Sequence, residues 1–382
     1  SEKSEKEVHE PKDPVYASHP VYRAKIIATD ELGNETLADV VFKLGDNPNE
    51  AKAYKFFSQF SDIRSPDLVF NNQVMVDGKL QNVIATKYIE GENLTELCQR
   101  QDENLMKYSW DAVGQLARIQ VRGRELDLED VVAADENYFS GRIENTFIKK
   151  FKDVGHKAGW LTDADVKEID GLQSVILRNY GAVNKRLAKD SLENGVMYAD
   201  FSPMNIRVSG EDTYAIDLAG GRKLTGMLSF VSMTEFGKKY LSDNDLEAGR
   251  TEYYTQAQKD TLFYRWLSER KFEETGQWGL SREELRQATK LRKYAALHRH
   301  LEYTGYASRD MSEADDLGVL RNEFNRQRYH MRMAMKYVKD ILNTDADLTG
   351  TERLQMLELS YALKRMNNIV ERQAVKSNAI YS

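Results

Sequence analysis

The sequence predicts an α+β chain of two lobes. A small, antiparallel, β-rich lobe spans residues 15–91, a large and mostly helical lobe spans 92–382, and a solvated arm covers 1–14. Three observations support this. Short β-prone runs, two of them joined by Gly33-Asn34, cluster before Gly91. Beyond Gly91 apolar residues recur at helical 3–4 spacing. At 382 residues the chain is also longer than one simple core organises.

Taken in order, "SEKSEKEVHEPKDP" has no apolar core of the kind a signal peptide needs. "YRAKIIAT" and "TLADVVFKL" flank "DELGNE" and read as a hairpin. "NPNEAKAYKFFSQF" starts a helix after Asn and Pro, with Ala53, Phe56, Phe57 and Phe60 at helical spacing. "DLVFNN" and "NVIATKYIE" read as two further strands, and "GENLTELCQR" turns the chain towards helices. "SWDAVGQLARIQVRG" and "DVKEIDGLQSVILRNYGAVNKRLA" carry helical spacing. Leu317, Leu320, Phe324, Met331, Met335, Val338 and Leu342 form one apolar stripe on a long helix, read as core.

Composition narrows the partners. Lys plus Arg number 54 and Asp plus Glu 61, a net charge of −7, so no nucleic-acid partner is expected. The single Cys98 allows no internal disulfide and fits a reducing, cytoplasmic setting. No run of about 18 apolar residues occurs, so no membrane span is expected. Cys98 reads as packing, and His298 and His300 in "LHRH" as part of a solvated helix face.

The chemistry concentrates in "VMYADFSPMNIRVSGEDTYAIDLAGG", residues 196–221. Two short apolar runs each lead to an aspartate, Asp200 and Asp217, with Asn205 between them. Carboxylates beside buried strands are costly unless something binds them. If "NIRV" and "TYAI" pair across "SGED", the hairpin brings Asn205 and Asp217 together. A carboxylate and an amide oxygen are hard ligands of the kind Mg²⁺ takes. Asp200 is then left to accept a proton from an attacking hydroxyl, the division of labour of phosphoryl transfer. Singly, each residue reads as a cap, a turn residue or a strand end.

The segment "YADFSPMNIRV…YAIDLAGG" resembles the catalytic segment of the aminoglycoside phosphotransferase and choline kinase superfamily, within the protein-kinase-like fold. That pattern is H-G-D-x-x-x-x-N followed by a short hairpin and I-D; here Tyr198 and Ala199 stand where His and Gly are usual. The resemblance implies that Asp200 is the catalytic base and that Asn205 and Asp217 are the Mg²⁺ ligands. A kinase-like lobe also needs a strand lysine for the nucleotide phosphates and a helix glutamate to hold it. Lys43 and Glu50 are in place for these roles. "VIATKYIEGENL" resembles the family hinge, whose backbone from Lys87 to Ile89 would meet the adenine edge. "AVGQLARIQVRG" resembles a family helix, with Gln120 where His is common. The phosphate-covering loop falls on Tyr16–Ile26, which has no glycine, and a first strand is required within "EVHEPKDPVY".

The function these features imply is ATP- and Mg²⁺-dependent transfer of a γ-phosphoryl group to a hydroxyl of a small molecule, with GTP an alternative donor. Helices C-terminal to the hairpin would wall the acceptor. The acidic stretch "SDNDLEAGRTE" suggests an amine-bearing acceptor. Three other readings stay open. The segment is also similar to the atypical RIO protein kinases, a pseudokinase or binding scaffold would keep the fold without the turnover, and the same metal and phosphate contacts would serve transfer of a nucleotidyl group.

Overall fold

A computed structural model describes residues 21–29, 35–44, 48–76, 78–128, 132–135, 137–197, 200–218, 222–238, 241–312, 314 and 317–381. The predicted hairpin is present. Strands β1 (Val21–Thr29) and β2 (Glu35–Leu44) pair antiparallel from Val21↔Lys43 to Thr29↔Glu35. Helix α1 (Pro48–Phe57) follows, opening on a proline whose missing N–H is no loss at a helix start. Strands β3 (Leu68–Val76) and β4 (Lys79–Lys87) complete an antiparallel sheet of order β1-β2-β4-β3. Helix α1 buries Ala53, Tyr54 and Phe57 in the main core.

One expectation is corrected here. The proposed phosphate-covering loop, 16–26, is strand from Val21 onward, because Val21–Ile26 pair with Lys43–Ala38. An extended, β-prone segment lying beside Lys43's strand gains ladder hydrogen bonds that a loop would forgo. The rest of that loop, the arm over 1–14, the required first strand and the "DELGNE" turn lie outside the described residues.

Gly91 follows β4. Its φ is +134°, and a Cβ there would sit 1.9 Å from the Val208 carbonyl oxygen, so only glycine fits this approach. The helical region contains β5 (Glu92–Asn93), α2 (Leu94–Arg100) and α3 (Leu105–Arg122). Asn93 and Glu96 form a capping box at the start of α2. The chain continues through β6 (Val132–Ala133) and α4 (Tyr138–Arg142), then a π-helical stretch over Ile143–Lys149 that runs into α5 (Lys150–Lys157). Next come α6 (Asp163–Asn179), α7 (Gly181–Asn194) and β7 (Val196–Met197). The hairpin expected across "SGED" is β8 (Ile206–Ser209) and β9 (Asp212–Ala215). Strand β10 (Arg222–Leu224) leads to α8 (Gly226–Thr234), α9 (Asp243–Glu247), α10 (Gln256–Thr275), α11 (Arg282–Ser312), α12 (Leu317–Thr344) and α13 (Gly350–Tyr381). No helix among the described residues is long and apolar enough to cross a membrane.

Helix α11 is the axle of this lobe. It packs against α12, α8, α7, α5 and the π-helical stretch. Its centre is therefore enclosed on all sides, and His298 and His300 are 1% and 0% exposed. This corrects the solvated face expected of them: a charge-rich helix with little amphipathic bias is here an interior helix, with His298 Nδ1 2.9 Å from the Tyr180 hydroxyl and His300 Nδ1 2.9 Å from His330 Nδ1. The α12 stripe is core at Leu320, Phe324, Met331 and Val338, while Leu317 at the helix start is exposed. Cys98 is buried, with Sγ 3.8 Å from the Tyr254 hydroxyl, in keeping with a packing role.

Candidate active site

Lys43 stands near the C-terminal end of β2 and Glu50 in the first turn of α1. The Lys43 ammonium donates to Glu50 Oε2 at 2.8 Å and to Asp217 Oδ1 at 2.6 Å. Burial works against the Lys43 charge, but Asp217 and Glu50 overcome it and hold its pKa above the ordinary value. Tyr54, one turn beyond Glu50, closes the ring. Its hydroxyl donates to Glu50 Oε1 at 3.4 Å and accepts the Asp217 N–H at 2.9 Å. Sequence reasoning missed Tyr54. The available signal was its position four residues after Glu50, on the same helix face.

At the end of β4 the amide of Lys87 donates to the Asp67 carbonyl at 2.9 Å and that of Tyr88 to the Asp39 carbonyl at 2.8 Å. Lys87 ends β4, paired with Val40 of β2, and Ile89 lies just beyond the strand.

The hairpin forms in the anticipated register, Ile206↔Ala215 to Ser209↔Asp212. It draws the flanking residues together, and the Ile216 N–H donates to the Asn205 carbonyl at 2.9 Å. Asn205 Nδ2 donates to the Asp200 carbonyl at 2.8 Å, which fixes the amide and leaves Oδ1 open. Asp217 has φ +58°, one of two non-glycine residues in the left-handed region among those described. Such a conformation persists only where the surroundings over-determine it, here the Lys43 and Tyr54 contacts.

Asp200 opens onto a cavity of about 340 Å³ that it shares with Asp217, Ser202, Phe236, Glu302 and Tyr303. Its carboxyl is open to the cavity and walled by protein elsewhere. Burial within those walls, with Asp217 and Glu302 nearby, raises its pKa from 3.8 to about 6. Tyr198 and Ala199 lie outside the described residues. Gln120 is structural: it accepts from Trp266 Nε1 at 3.0 Å and donates to the Gly226 carbonyl at 2.9 Å, pinning the start of α8. A larger groove of about 730 Å³ beside α7, α10 and α11 holds none of the predicted site residues.

The donor set suits Mg²⁺. Asn205 Oδ1 and the Asp217 oxygen not engaged by Lys43 are two hard ligands with free valence. No cluster of three or more His, Cys, Asp or Glu able to hold a metal occurs among the described residues. Magnesium draws much of its shell from water and phosphate, so two protein ligands suffice.

The wall of the Asp200 cavity differs from what the acidic stretch suggested. The acidic stretch 242–252 does not line the cavity. Asp243 pairs with Arg321, Asp245 with Arg250, and Glu252 with Lys259. The wall is a face of α11, joined by Tyr138 and Arg142 of α4.

No protein-family model matches the chain, and a search of curated proteins finds no match. Solved structures do match. A choline kinase from Cryptosporidium parvum Iowa II aligns with a TM-score of 0.51 at 11% identity, over 90% of this chain and 93% of that one. A Plasmodium vivax ethanolamine kinase gives 0.46 at 10% identity over 82% and 79%. A thermostable mutant of an aminoglycoside phosphotransferase gives 0.41 at 10% identity over 86% and 97%. The chain is thus a bilobal protein-kinase-like fold. The likeness to the choline kinase is one of fold and runs along nearly the whole length of both chains.

Proposed function

We propose that this protein is a kinase that moves the γ-phosphoryl group of ATP, with Mg²⁺, to a hydroxyl of a small molecule. The observation that carries this reading is the Lys43 ammonium bridging Glu50 and Asp217, residues 7 and 174 positions away in sequence. A strand lysine, a helix glutamate and a metal-type aspartate meet at one point, beside a cavity that holds a carboxyl of raised pKa.

In this reading the roles are as follows. The Lys87 carbonyl accepts from the adenine amino group, and the Ile89 N–H donates to the ring nitrogen beside it. Guanine presents the opposite donor–acceptor order on that edge, which favours ATP over GTP. Lys43 binds phosphate oxygens, and Glu50 with Tyr54 keeps it aimed. Asn205 and Asp217 would hold Mg²⁺, which supplies neutralisation of the phosphate charge. Asp200 accepts the acceptor's hydroxyl proton as the acceptor oxygen bonds to the γ-phosphorus and the bond to the β–γ bridging oxygen breaks, releasing ADP. A pKa near 6 keeps this base ionised at neutral pH while leaving it able to hold the proton. A cytoplasmic site of action belongs to the same reading, on the free thiol of Cys98.

The test needs no knowledge of the acceptor. A ligand that binds only the folded state stabilises it by about 2.7 kcal/mol at a hundredfold excess over Kd. The melting temperature should rise only when Mg²⁺ and ATP are both present, and less so in Lys43→Ala. Slow ATP hydrolysis should accompany the rise, with water in the acceptor's place. Neither effect at millimolar Mg·ATP or Mg·GTP would sink the reading.

A further inference from the structure

The chain between α1 and β3 is fastened to the helical region at several points. Backbone bonds run on from the end of α1. The Ser58 N–H donates to the Tyr54 carbonyl at 3.0 Å, Phe60 to Phe57 at 3.0 Å and Ile63 to Phe60 at 3.1 Å, so the helix continues as a stiff turn. Arg122 of α3 donates to both Asp62 carboxylate oxygens, at 2.6 and 2.8 Å, and Arg118 donates to the Asp62 carbonyl at 3.1 Å. Arg64 is held by backbone and side chain alike. Its carbonyl accepts the Ala215 N–H of β9 at 2.9 Å, and its guanidinium reaches Asp111 of α3 at 3.1 Å and Asp212 of β9 at 3.0 Å.

At the centre of these ties is Gln115 of α3, 1% exposed. Its Oε1 accepts the Arg64 N–H at 2.9 Å. Its Nε2 donates to the Thr213 carbonyl at 2.8 Å and lies 2.7 Å from Thr213 Oγ1. One buried amide thus joins the segment after α1 to β9. The apolar packing follows the same division. Ala53, Tyr54, Phe57 and Ile63 belong to the main core with Leu116 and Ile119 of α3. Among the described residues, the sheet's buried Val40, Val83, Ile84 and Ala85 do not join that core. Helix α1 is therefore fixed to the helical region, and Lys43 comes to Glu50 and Asp217 from a sheet whose buried residues stand outside it.

We propose that Gln115 is a positioning residue for phosphoryl transfer. It holds the helix of Glu50 and the strand before Asp217 at one separation, so the metal-type carboxylate is in place before nucleotide arrives. This rests on the phosphotransfer reading above. Asp217 closely follows Thr213 and Ala215, and its φ of +58° persists only where the surroundings over-determine it. Part of that support is the Tyr54 hydroxyl, which comes from α1. A shift of α1 against β9 therefore displaces Asp217 from two sides. Mg²⁺ demands near-ideal octahedral geometry, so it is the ligand most sensitive to such a shift. The adenine contacts at Lys87 and Ile89 belong to the sheet side and should be spared.

The test is calorimetric titration of the full chain with the non-hydrolysable analogue AMP-PNP at a series of Mg²⁺ concentrations. Gln115→Leu keeps most of the side-chain volume and removes both ends of the amide. It should raise the Mg²⁺ concentration for half-maximal binding about tenfold, the order seen on losing an outer partner of a metal ligand. AMP-PNP affinity at saturating Mg²⁺ should be nearly unchanged. Thr213→Val, which removes one hydroxyl only, should give a smaller rise in the same direction. Leu359→Ala is the control. It truncates a core residue of α13, which packs against α12, α6 and α7, and should lower the melting temperature without changing the Mg²⁺ requirement. An unchanged Mg²⁺ requirement in Gln115→Leu, or in Thr213→Val where Gln115→Leu does not fold, overturns the proposal. An equal rise in Leu359→Ala also overturns it, since the effect would then be one of general stability. A parent protein that binds no AMP-PNP, or binds it without regard to Mg²⁺, is a separate outcome. It overturns the phosphotransfer reading, and this proposal with it.

Discussion

Asp200→Asn should have opposite effects on turnover and stability, and both follow from one carboxyl. In the free protein its pKa is raised from 3.8 to about 6, by burial first and then by Asp217 and Glu302. The value of kcat/KM tracks ionisation in the free enzyme. A base with that pKa is about 90% ionised at pH 7 and about 10% at pH 5, so kcat/KM should fall roughly tenfold between them. Other cavity groups do not interfere. Burial lowers His298 to about 4, and Glu302 is held far below the usual carboxylate range because His298, Arg299 and Arg142 outweigh its burial. Asp200→Asn should cut turnover by about 10² or more and flatten the remaining profile, with nucleotide affinity retained. For stability the sign is fixed by the raised pKa. Between the unfolded value near 3.8 and the folded value near 6 the folded state binds more protons, so stability falls as pH rises through that window. The full shift would correspond to about 3 kcal/mol, but the carboxyl is open to cavity water, and screening reduces this to about 1 kcal/mol or less. The asparagine variant should therefore be slightly more stable than the parent at pH 7.5 and equal to it at pH 4. Denaturant melts at the two pH values, together with steady-state ATP hydrolysis from pH 5 to 8, measure both effects. A flat parent profile with the fold intact, or full turnover in the variant, would refute the assignment of Asp200.

Asp217→Ala should abolish the Mg²⁺ dependence of nucleotide binding in titration calorimetry; a variant that keeps the full magnesium effect would make Asp217 a strand-end residue only. Gly305→Ala should destabilise the helical lobe by several kcal/mol, seen as a lowered denaturation midpoint. A Cβ there would lie 1.6 Å from the Thr146 carbonyl oxygen, and backbone must move to admit it. The same displacement shifts the α11 face that walls the cavity, so acceptor KM should rise more than nucleotide KM.

Much of this protein was legible without coordinates, because its evidence is local. Hairpin pairing depends on alternation and a turn, so β1–β2 and β8–β9 could each be assigned from one short continuous stretch. Asp200, Asn205 and Asp217 lie within eighteen consecutive positions, and a single hairpin is enough to gather them. Lys43 and Glu50 are seven apart, on a strand end and the helix start after it. The wall of the cavity was not legible. Arg142, Glu302 and Arg326 come from three helices, and no periodicity records which helix faces will meet. The same limit explains His298 and His300: the residues within one turn of them read as a solvated surface, and only the five elements packed around α11 make that surface an interior. The sequence by itself placed Asp200, Asn205 and Asp217 about one hairpin and Lys43 close to Glu50, because neighbours in the chain and across a tight turn set their positions. Tertiary packing alone decided which side chains wall the cavity beside Asp200, because that depends on the angles at which distant helices cross.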